Sequence, residues 1–207
     1  MISIFDCNDW PLWTEKYIHP MAYSENKNIM IEEVGPDIIQ FPLFTEEFCD
    51  ELISFLKTKK NTTNQITDYN EISIMDLGLF EAYQKAFIDY IHPYIYEHWR
   101  LASDTYWSIG HTFISKFDDQ LKSNLGFHHD ESMVTLNVLL SDSDDFEGGG
   151  TFFKKCNKTI SPKKKGWVIA HPGSITHLHS VKPIESGTRY NLVSYLLDET
   201  IINKIKK

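Results

Sequence analysis

The stretch MVTLNVLL alternates, with Val134, Leu136, Val138 and Leu140 on one face of an extended chain and Thr135 and Asn137 on the other. That pattern predicts a half-buried strand near 133–140. Similar short aromatic and β-branched runs predict strands near 105–117, 150–156, 166–171, 175–180 and 188–197. Glycine and proline punctuate them, the texture of an all-β sandwich or barrel. Before residue 105 the chain reads as loop and helix. Phe44, Phe48, Leu52, Phe55 and Leu56 recur at helical spacing beside Glu46, Glu47, Asp50 and Glu51, which predicts a helix over 45–59. Phe87, Ile91, Ile95 and Trp99 make a second apolar stripe between Phe80 and Trp99, with a kink or break expected near residue 92 because Pro93 follows.

Helices packed outside an antiparallel double sheet give an α+β class with a double-stranded β-helix, or jelly-roll, core. No linker or repeat divides the 207 residues, so the expectation is one domain over 1–207, with a helical and loop part over 1–104 and the jelly roll over 105–198. With 42% hydrophobic and 24% charged residues, a disordered or fibrous chain is excluded. No apolar run approaches the ~18 residues of a membrane span. The opening MISIFDCNDWPLW lacks the basic and apolar regions of a signal peptide. A net charge of −9 opposes nucleic-acid binding and favours a cationic partner. The basic cluster Lys154, Lys155, Lys158, Lys163, Lys164 and Lys165 reads as a solvated turn between strands, and Cys7, Cys49 and Cys156 are too scattered for a CxxC motif.

Six of the nine histidines, His111, His128, His129, His171, His177 and His179, lie in the strand-rich part. His128 precedes Asp130 by two, so an extended backbone puts both side chains on one side and His129 on the other. A further histidine would complete the two-His-one-carboxylate face of a non-haem Fe(II) site. His171, His177 and His179 are all candidates, and strand geometry alone does not choose among them. Arg189 follows ten residues after His179, at the start of a strand, where a buried guanidinium needs an anion; a small dicarboxylate would supply it.

The stretches WTEKYIHP (13–20), PDIIQFPLFTEEFCDELI (36–53), HHDESMVTLNVLL (128–140), FEGGGTFF (146–153), KGWVIAHPGSITHLH (165–179) and GTRYNLVSY (187–195) resemble the catalytic domain of procollagen lysyl hydroxylases, within the 2-oxoglutarate and Fe(II)-dependent dioxygenases. The resemblance runs from about residue 13 to the last strand and is weakest around 60–75. It implies His128, Asp130 and His179 as metal ligands, Arg189 as partner of the distal carboxylate of 2-oxoglutarate, and Asn137 near that co-substrate. It further implies O2 as second co-substrate, L-ascorbate to restore oxidised iron, a collagen-like peptide substrate, a homodimer, and the secretory pathway or ER lumen. One position departs: eleven residues before His128 the family carries a tyrosine, here Phe117. The Ile, Asn and Lys usage is that of an AT-rich genome, such as a large DNA virus.

Other features have structural readings. His129 and His177 read as supporting or packing residues, His171 as closing a strand, and His111, sharing a face with Ile109, Phe113 and Phe117, as a core histidine. Trp107, Phe113, Phe152 and Trp167 read as core, and Gly148, Gly149 and Gly150 as a strand entry needing unusual backbone angles. The stretch Asp142, Asp144, Asp145 and Glu147 fails the EF-hand template and reads as a solvated loop; alternatively, with Asp118, Asp119 or Glu131, it attracts a cationic lysine. The leading expectation is C5 hydroxylation of lysine in Gly-X-Lys sequences. Its rivals are the same chemistry on proline or a free amino acid, and a metal-binding or dimerising module without turnover; the homodimer that the resemblance implies could use the apolar tail residues Ile201, Ile202 and Ile205.

Overall fold

A computed structural model describes residues 2–23, 31–62, 71–99, 107–120 and 122–198, with the side chains of 60–62 excepted. The expected dimerising tail, the start of the strand expected from 105, and the weakly matching stretch 63–70 lie outside them.

Two antiparallel sheets face each other. The larger has eight strands and runs in the order β1 (Glu32–Gly35), β2 (Ile38–Pro42), β10 (Trp167–Pro172), β6 (Val134–Leu139), β12 (Ile184–Asp198), β4 (Trp107–Asp118), β3 (Glu71–Ser73), with β7 (Phe146–Gly148) on the near end of β12. The smaller runs β5 (Leu125–His128), β11 (His179–Val181), β8 (Thr151–Phe153), β9 (Lys158–Ile160). This is the jelly roll with helices packed outside.

The helices cover the outer face of the large sheet. In α1 (Trp10–Tyr17) the Asp9 side chain accepts from the Leu12 amide and Pro11 starts the helix, so Trp13 and Tyr17 turn inward. They join Phe44, Phe48 and Leu52, the last two on α2 (Glu46–Thr62), in one cluster with Ile39, Phe41, Val138 and Leu192 from the sheet. The helix expected over 45–59 is therefore present and ends three residues later than expected. The second helical stretch contains α4 (Phe80–Ala86) and α5 (His92–His98), and a short helix not expected, α3 (Ile74–Leu77), precedes it. Near residue 92 the stretch does not break: Phe87–Ile91 forms a wider π turn, which absorbs the amide that Pro93 lacks and the crowding of its ring against the preceding turn.

The structure corrects four expectations of order. The first third contains strands: all five residues of β2 are buried, because Ile39 and Phe41 face the helices while Ile38 faces the smaller sheet. A five-residue run buried on both faces, with Gln40 at its centre, shows no clear alternation, so its period does not betray a strand. Strand β6 is likewise buried on both faces rather than half-buried, for Thr135 points into the space between the sheets. The strand expected from 175 begins only at His179. Strand β12 begins at Ile184, earlier than expected, where it pairs first with β7.

A bulge in β4 overturns the reading of His111. Tyr195 pairs with His111 and Leu196 with Ile109, so Gly110 is the extra residue, and the face changes there. Ile109 packs on the helical core, whereas His111 is exposed and stacks on Phe113 at 4.9 Å. Of the four aromatic residues expected in the core, Trp107, Phe113 and Trp167 are buried, but Phe152 is only half-buried, on the outer side of the small sheet beside Phe127. In the basic cluster, Lys165 departs from the solvated turn: it is buried between Asp50 at 2.8 Å and Asp142 at 2.6 Å, tying α2 to the loop before β7.

Candidate active site

The open end of the space between the sheets is a pocket of about 530 Å³, mouth included. Its walls follow from alternation. On β12 the odd positions Arg189, Asn191, Val193 and Tyr195 all line it, with Phe113, Ser115 and Phe117 of β4 on one side and Thr135 and Asn137 of β6 on the other. His128 and His179 face them from the small sheet, where they are directly opposed across β5 and β11 with ring centres 4.3 Å apart.

His128, Asp130 and His179 each offer one ligand atom, all within 4.8 Å of one another. The carboxylate lies between the imidazoles: His128 Nε2 is 3.5 Å from Asp130 Oδ1, and His179 Nε2 is 3.5 Å from Oδ2. The other ring nitrogens fix the orientation of each ring. His128 Nδ1 lies 2.7 Å from the Gly126 carbonyl and His179 Nδ1 2.8 Å from the His177 carbonyl. A carbonyl only accepts, so each Nδ1 carries a proton and each ring turns its Nε2 toward the carboxylate and the shared space. Asp130 is placed by its amide, which donates to the Gly173 carbonyl at 3.1 Å, and by Thr135, whose hydroxyl donates to Oδ2 at 2.5 Å. Burial alone would raise its carboxyl; the hydrogen bond from His128, the charge of His179 and the Thr135 hydroxyl outweigh that and hold it at about 2. The site is thus a carboxylate and two imidazole Nε2 atoms on one face, a donor set that fits a divalent iron and leaves the pocket side open.

Of the other histidines considered as a third ligand, His177 points the opposite way, with Nε2 2.9 Å from the Pro36 carbonyl. His171 lies under the site, its ring edge-on to His179 at 5.0 Å, and burial pushes its pKa down to about 4. It closes β10, one residue from its end as expected, and also gives the site a neutral floor. His129 is exposed and turned away.

Arg189 is 1% exposed, yet its Nε and Nη2 find no hydrogen-bond partner among the described residues. Burial lowers its pKa to about 10, which leaves it charged at neutral pH. A buried, charged fork without an acceptor is costly, and the structure meets that cost only if an anion enters the pocket. Room for the guanidinium is made by the glycine run. Gly148, Gly149 and Gly150 have φ of 81°, 74° and 88°, and a Cβ on Gly149 would stand 2.7 Å from Ile184 and 3.5 Å from Arg189. The amide oxygens of Asn137 and Asn191 are also buried without partners among the described residues, a second reserve of polar capacity beside the arginine.

The acidic stretch does not belong to this site. Asp142, Asp144, Asp145 and Glu147 are exposed, none lines the pocket, and Asp142 and Asp145 close a capping box around Ser143–Asp145. Asp118, Asp119 and Glu131 are not lining residues either. The sequence reading missed Thr135, Asn191, Tyr195 and Glu71. The first three were accessible: each lies at an even spacing from a residue already nominated on the same strand. Glu71 had no such signal, for it opens a three-residue strand beside the least recognisable stretch of the chain.

No protein-family model matches the chain. By sequence it is similar to procollagen-lysine,2-oxoglutarate 5-dioxygenase 1 of Gallus gallus, 34% identical over 197 residues, and to procollagen-lysine,2-oxoglutarate 5-dioxygenase 2 of Homo sapiens, 30% identical over 199. Each match covers 89% of this chain, which spans 27% of the length of these relatives. By fold it is similar to a viral collagen prolyl hydroxylase from Paramecium Bursaria Chlorella virus-1, with TM-score 0.58 and 17% identity, covering 78% of this chain and 96% of that one. A Pseudomonas putida prolyl-4-hydroxylase gives TM-score 0.57 and 13% identity, covering 88% of this chain and 98% of that one. The chain is a relative of the procollagen-lysine dioxygenases with the jelly-roll fold of 2-oxoglutarate and Fe(II) oxygenases.

Proposed function

We propose that this chain is a 2-oxoglutarate- and Fe(II)-dependent peptidyl-lysine hydroxylase that oxidises lysine C5 in collagen-like Gly-X-Lys sequences. The observation that carries the reading is the pairing, in one pocket, of a two-imidazole, one-carboxylate face with the unsatisfied guanidinium of Arg189. The similarity to procollagen-lysine dioxygenases supports lysine as the substrate.

His128, Asp130 and His179 would hold the Fe(II), and Arg189 would hold 2-oxoglutarate. Bound together they supply activation of O2, coupling decarboxylation of 2-oxoglutarate to succinate and CO2 with transfer of one oxygen atom to a substrate C–H bond. The Gly126 and His177 carbonyls hold the two Nδ1–H groups and so orient both Nε2 atoms toward the place the metal would take. Thr135 neutralises part of the charge on Asp130 Oδ2 and fixes the carboxylate plane. Arg189, backed by the Phe146 ring at 5.9 Å, offers two parallel N–H donors to the far carboxylate of the co-substrate. Asn137 gives a further amide contact to it. Phe117, paired with Arg189 across β4 and β12, presents an apolar ring where the family has a hydroxyl, so the arginine carries more of the grip here. L-ascorbate serves to restore iron oxidised in unproductive cycles. The domain acts as a homodimer in the secretory pathway, where procollagen is made.

The test is aerobic incubation with Fe(II), 2-oxoglutarate, ascorbate and a Gly-X-Lys peptide, reading succinate and the oxidised residue by mass spectrometry. One added oxygen on lysine, lost in His179→Ala, is expected. Succinate without lysine oxidation would move the substrate to proline or a free amino acid, and iron binding without succinate would make the domain a module without turnover.

A further inference from the structure

Among the described residues the pocket is lined by two carboxylates, Asp130 and Glu71. Asp130 is engaged by both imidazoles, whereas nothing in the reaction centre uses Glu71. It sits on β3, the edge strand of the large sheet, and pairs with Ser115, which in turn pairs with Asn191. Its row across the sheet therefore adjoins the row of Phe117 and Arg189. The Glu71 side chain is 51% exposed, which puts it at the mouth rather than the floor.

What lies beside Glu71 indicates the ligand it suits. Lys122 brings its Nζ to 3.6 Å from Glu71 Oε1 and 5.2 Å from the centre of the Phe117 ring, itself part of the pocket wall. An ammonium on an alkyl stem thus already stands between a carboxylate and an aromatic face at the pocket mouth. The separation from Glu71 exceeds a hydrogen bond, so the pair is loose and exchangeable.

We propose that Glu71 selects the cationic side chain for this site by taking the ammonium of a substrate lysine, and that Lys122 is an internal stand-in which the substrate displaces. The assignment rests on the lysine-hydroxylation reading and deepens it. In lysine the reacting C5 is next to C6, which bears the ammonium, so a residue that fixes the ammonium also fixes which C–H bond faces the metal ligands. Proline has no charge to offer at that position. The acidic loop before β7, nominated for this role by charge and by nearness in the chain to His128 and Asp130, has no residue in the pocket wall.

The experiment compares the wild-type chain, Glu71→Gln and Lys122→Met on two peptides. One is Gly-X-Lys; the other carries norleucine, which keeps C5 and C6 and lacks the ammonium. The readouts are kcat and KM for the oxidised peptide. Glu71→Gln should raise KM for the lysine peptide about tenfold and shrink the lysine-over-norleucine preference by a similar factor, the size of one partly exposed charge-assisted contact. Lys122→Met should act in the opposite direction, lowering that KM by roughly two- to threefold as the internal competitor is removed. If the wild-type chain oxidises lysine and Glu71→Gln leaves both KM and the preference within about twofold, the assignment is overturned while the lysine reading stands. If the wild-type chain oxidises proline or no peptide, the lysine reading fails and takes the assignment with it. Should Glu71→Gln not fold, Lys122→Met decides alone, an unchanged or raised KM counting against the proposal.

Discussion

The two sheets that enclose the pocket are built by different means. The large one has a thick apolar backing: Trp13, Tyr17, Phe44, Phe48 and Leu52 behind it are at most 1% exposed. The small one has short strands and an outer face on which Phe127 remains 58% exposed; its one apolar support among the described residues is the inter-sheet group Ile38, Phe153, Ile160 and Ile169. The large sheet carries Arg189, a buried charge whose cost without a partner must be offset by the packing behind it. The small sheet carries His128 and His179, which are aimed by backbone carbonyls and cross-strand pairing rather than by deep packing. The difference teaches that the anion grip is stabilised by the fold, while the metal face is stabilised partly by whatever it binds, which would clip β5 to β11.

Arg189→Met is the change expected to have the largest effect on activity. Losing the paired donors should raise the 2-oxoglutarate concentration needed for half-maximal turnover by about a hundredfold, roughly 3 kcal/mol. Removing an unpaired buried charge from a well-packed wall should at the same time stabilise the co-substrate-free protein, by about 1 kcal/mol or more. Thermal melts without 2-oxoglutarate and initial rates with it measure the two directions. A loss of both stability and activity would mean that the arginine already has a structural partner, and the contrast between the sheets would fall.

Core truncations sharpen the contrast. Trp13→Ala, behind the large sheet, should cost about 3–5 kcal/mol in denaturant unfolding and leave Fe(II) affinity unchanged in the fraction that folds. Phe153→Ala, between the sheets, removes the ring that stands 5.6 Å from His179 and 4.9 Å from His171. It should lower Fe(II) affinity about tenfold or more, as loss of a ligand's support does. Equal effects of the two on metal affinity would show that the sheets respond as one body.

Acid should weaken the metal-free site through His171. Burial in the first place, then the neighbouring His179, lowers its pKa from 6.5 to about 4. A folded state that resists protonation loses stability wherever the unfolded chain takes up the proton. The contribution of His171 is therefore complete above about pH 6.5 and declines as pH falls toward 4, by about 3 kcal/mol. Asp130, held at about 2, acts in a lower window: its contribution lasts until the pH falls below the ordinary carboxylate value and is lost on the way to about 2. Urea midpoints at pH 7 and pH 5 should differ in the wild-type chain and converge in His171→Leu.

The sequence was most legible where chemistry and period coincide. His128, Asp130 and Arg189 stood out as residue types that strands do not bury without reason, and the alternation on β12 extends from Arg189 to Asn191 and Tyr195. His179 was chosen over His177 by resemblance, since two residues at i and i+2 look alike until one is seen to turn toward Pro36. Three features were hidden by physics rather than by rarity. Strand β2 is buried on both faces, Gln40 included, and is too short for its sequence to mark it as a strand; Gly110 shifts the face of β4 by one residue and sends His111 out to solvent; and Glu71 enters the pocket only because β3 pairs with a strand far along the chain. Such pairings are set by tertiary packing, which one-dimensional pattern does not contain.

The smallest predicted effect probes the loop that feeds the small sheet. Ile175 has φ of 43° and is 86% exposed, four residues before His179. A β-branched side chain in the left-handed region is strained, and this one buries nothing in return. The neighbouring backbone explains why the conformation persists: Gly173 N–H donates to the Met133 carbonyl and Ser174 N–H to the Ser132 carbonyl, locking the loop against the segment that carries Asp130. The strain is thus imposed by contacts that hold the metal face together. An asparagine adopts the same angles at lower cost, so Ile175→Asn should raise stability by about 1 kcal/mol without loss of Fe(II) affinity. If stability rises but lysine-peptide KM rises with it, the exposed isoleucine is a substrate contact whose strain is retained for binding; if neither moves, the loop is freer in solution than its hydrogen bonds to 132 and 133 imply, and the small sheet is weaker still than the comparison of the two sheets makes it.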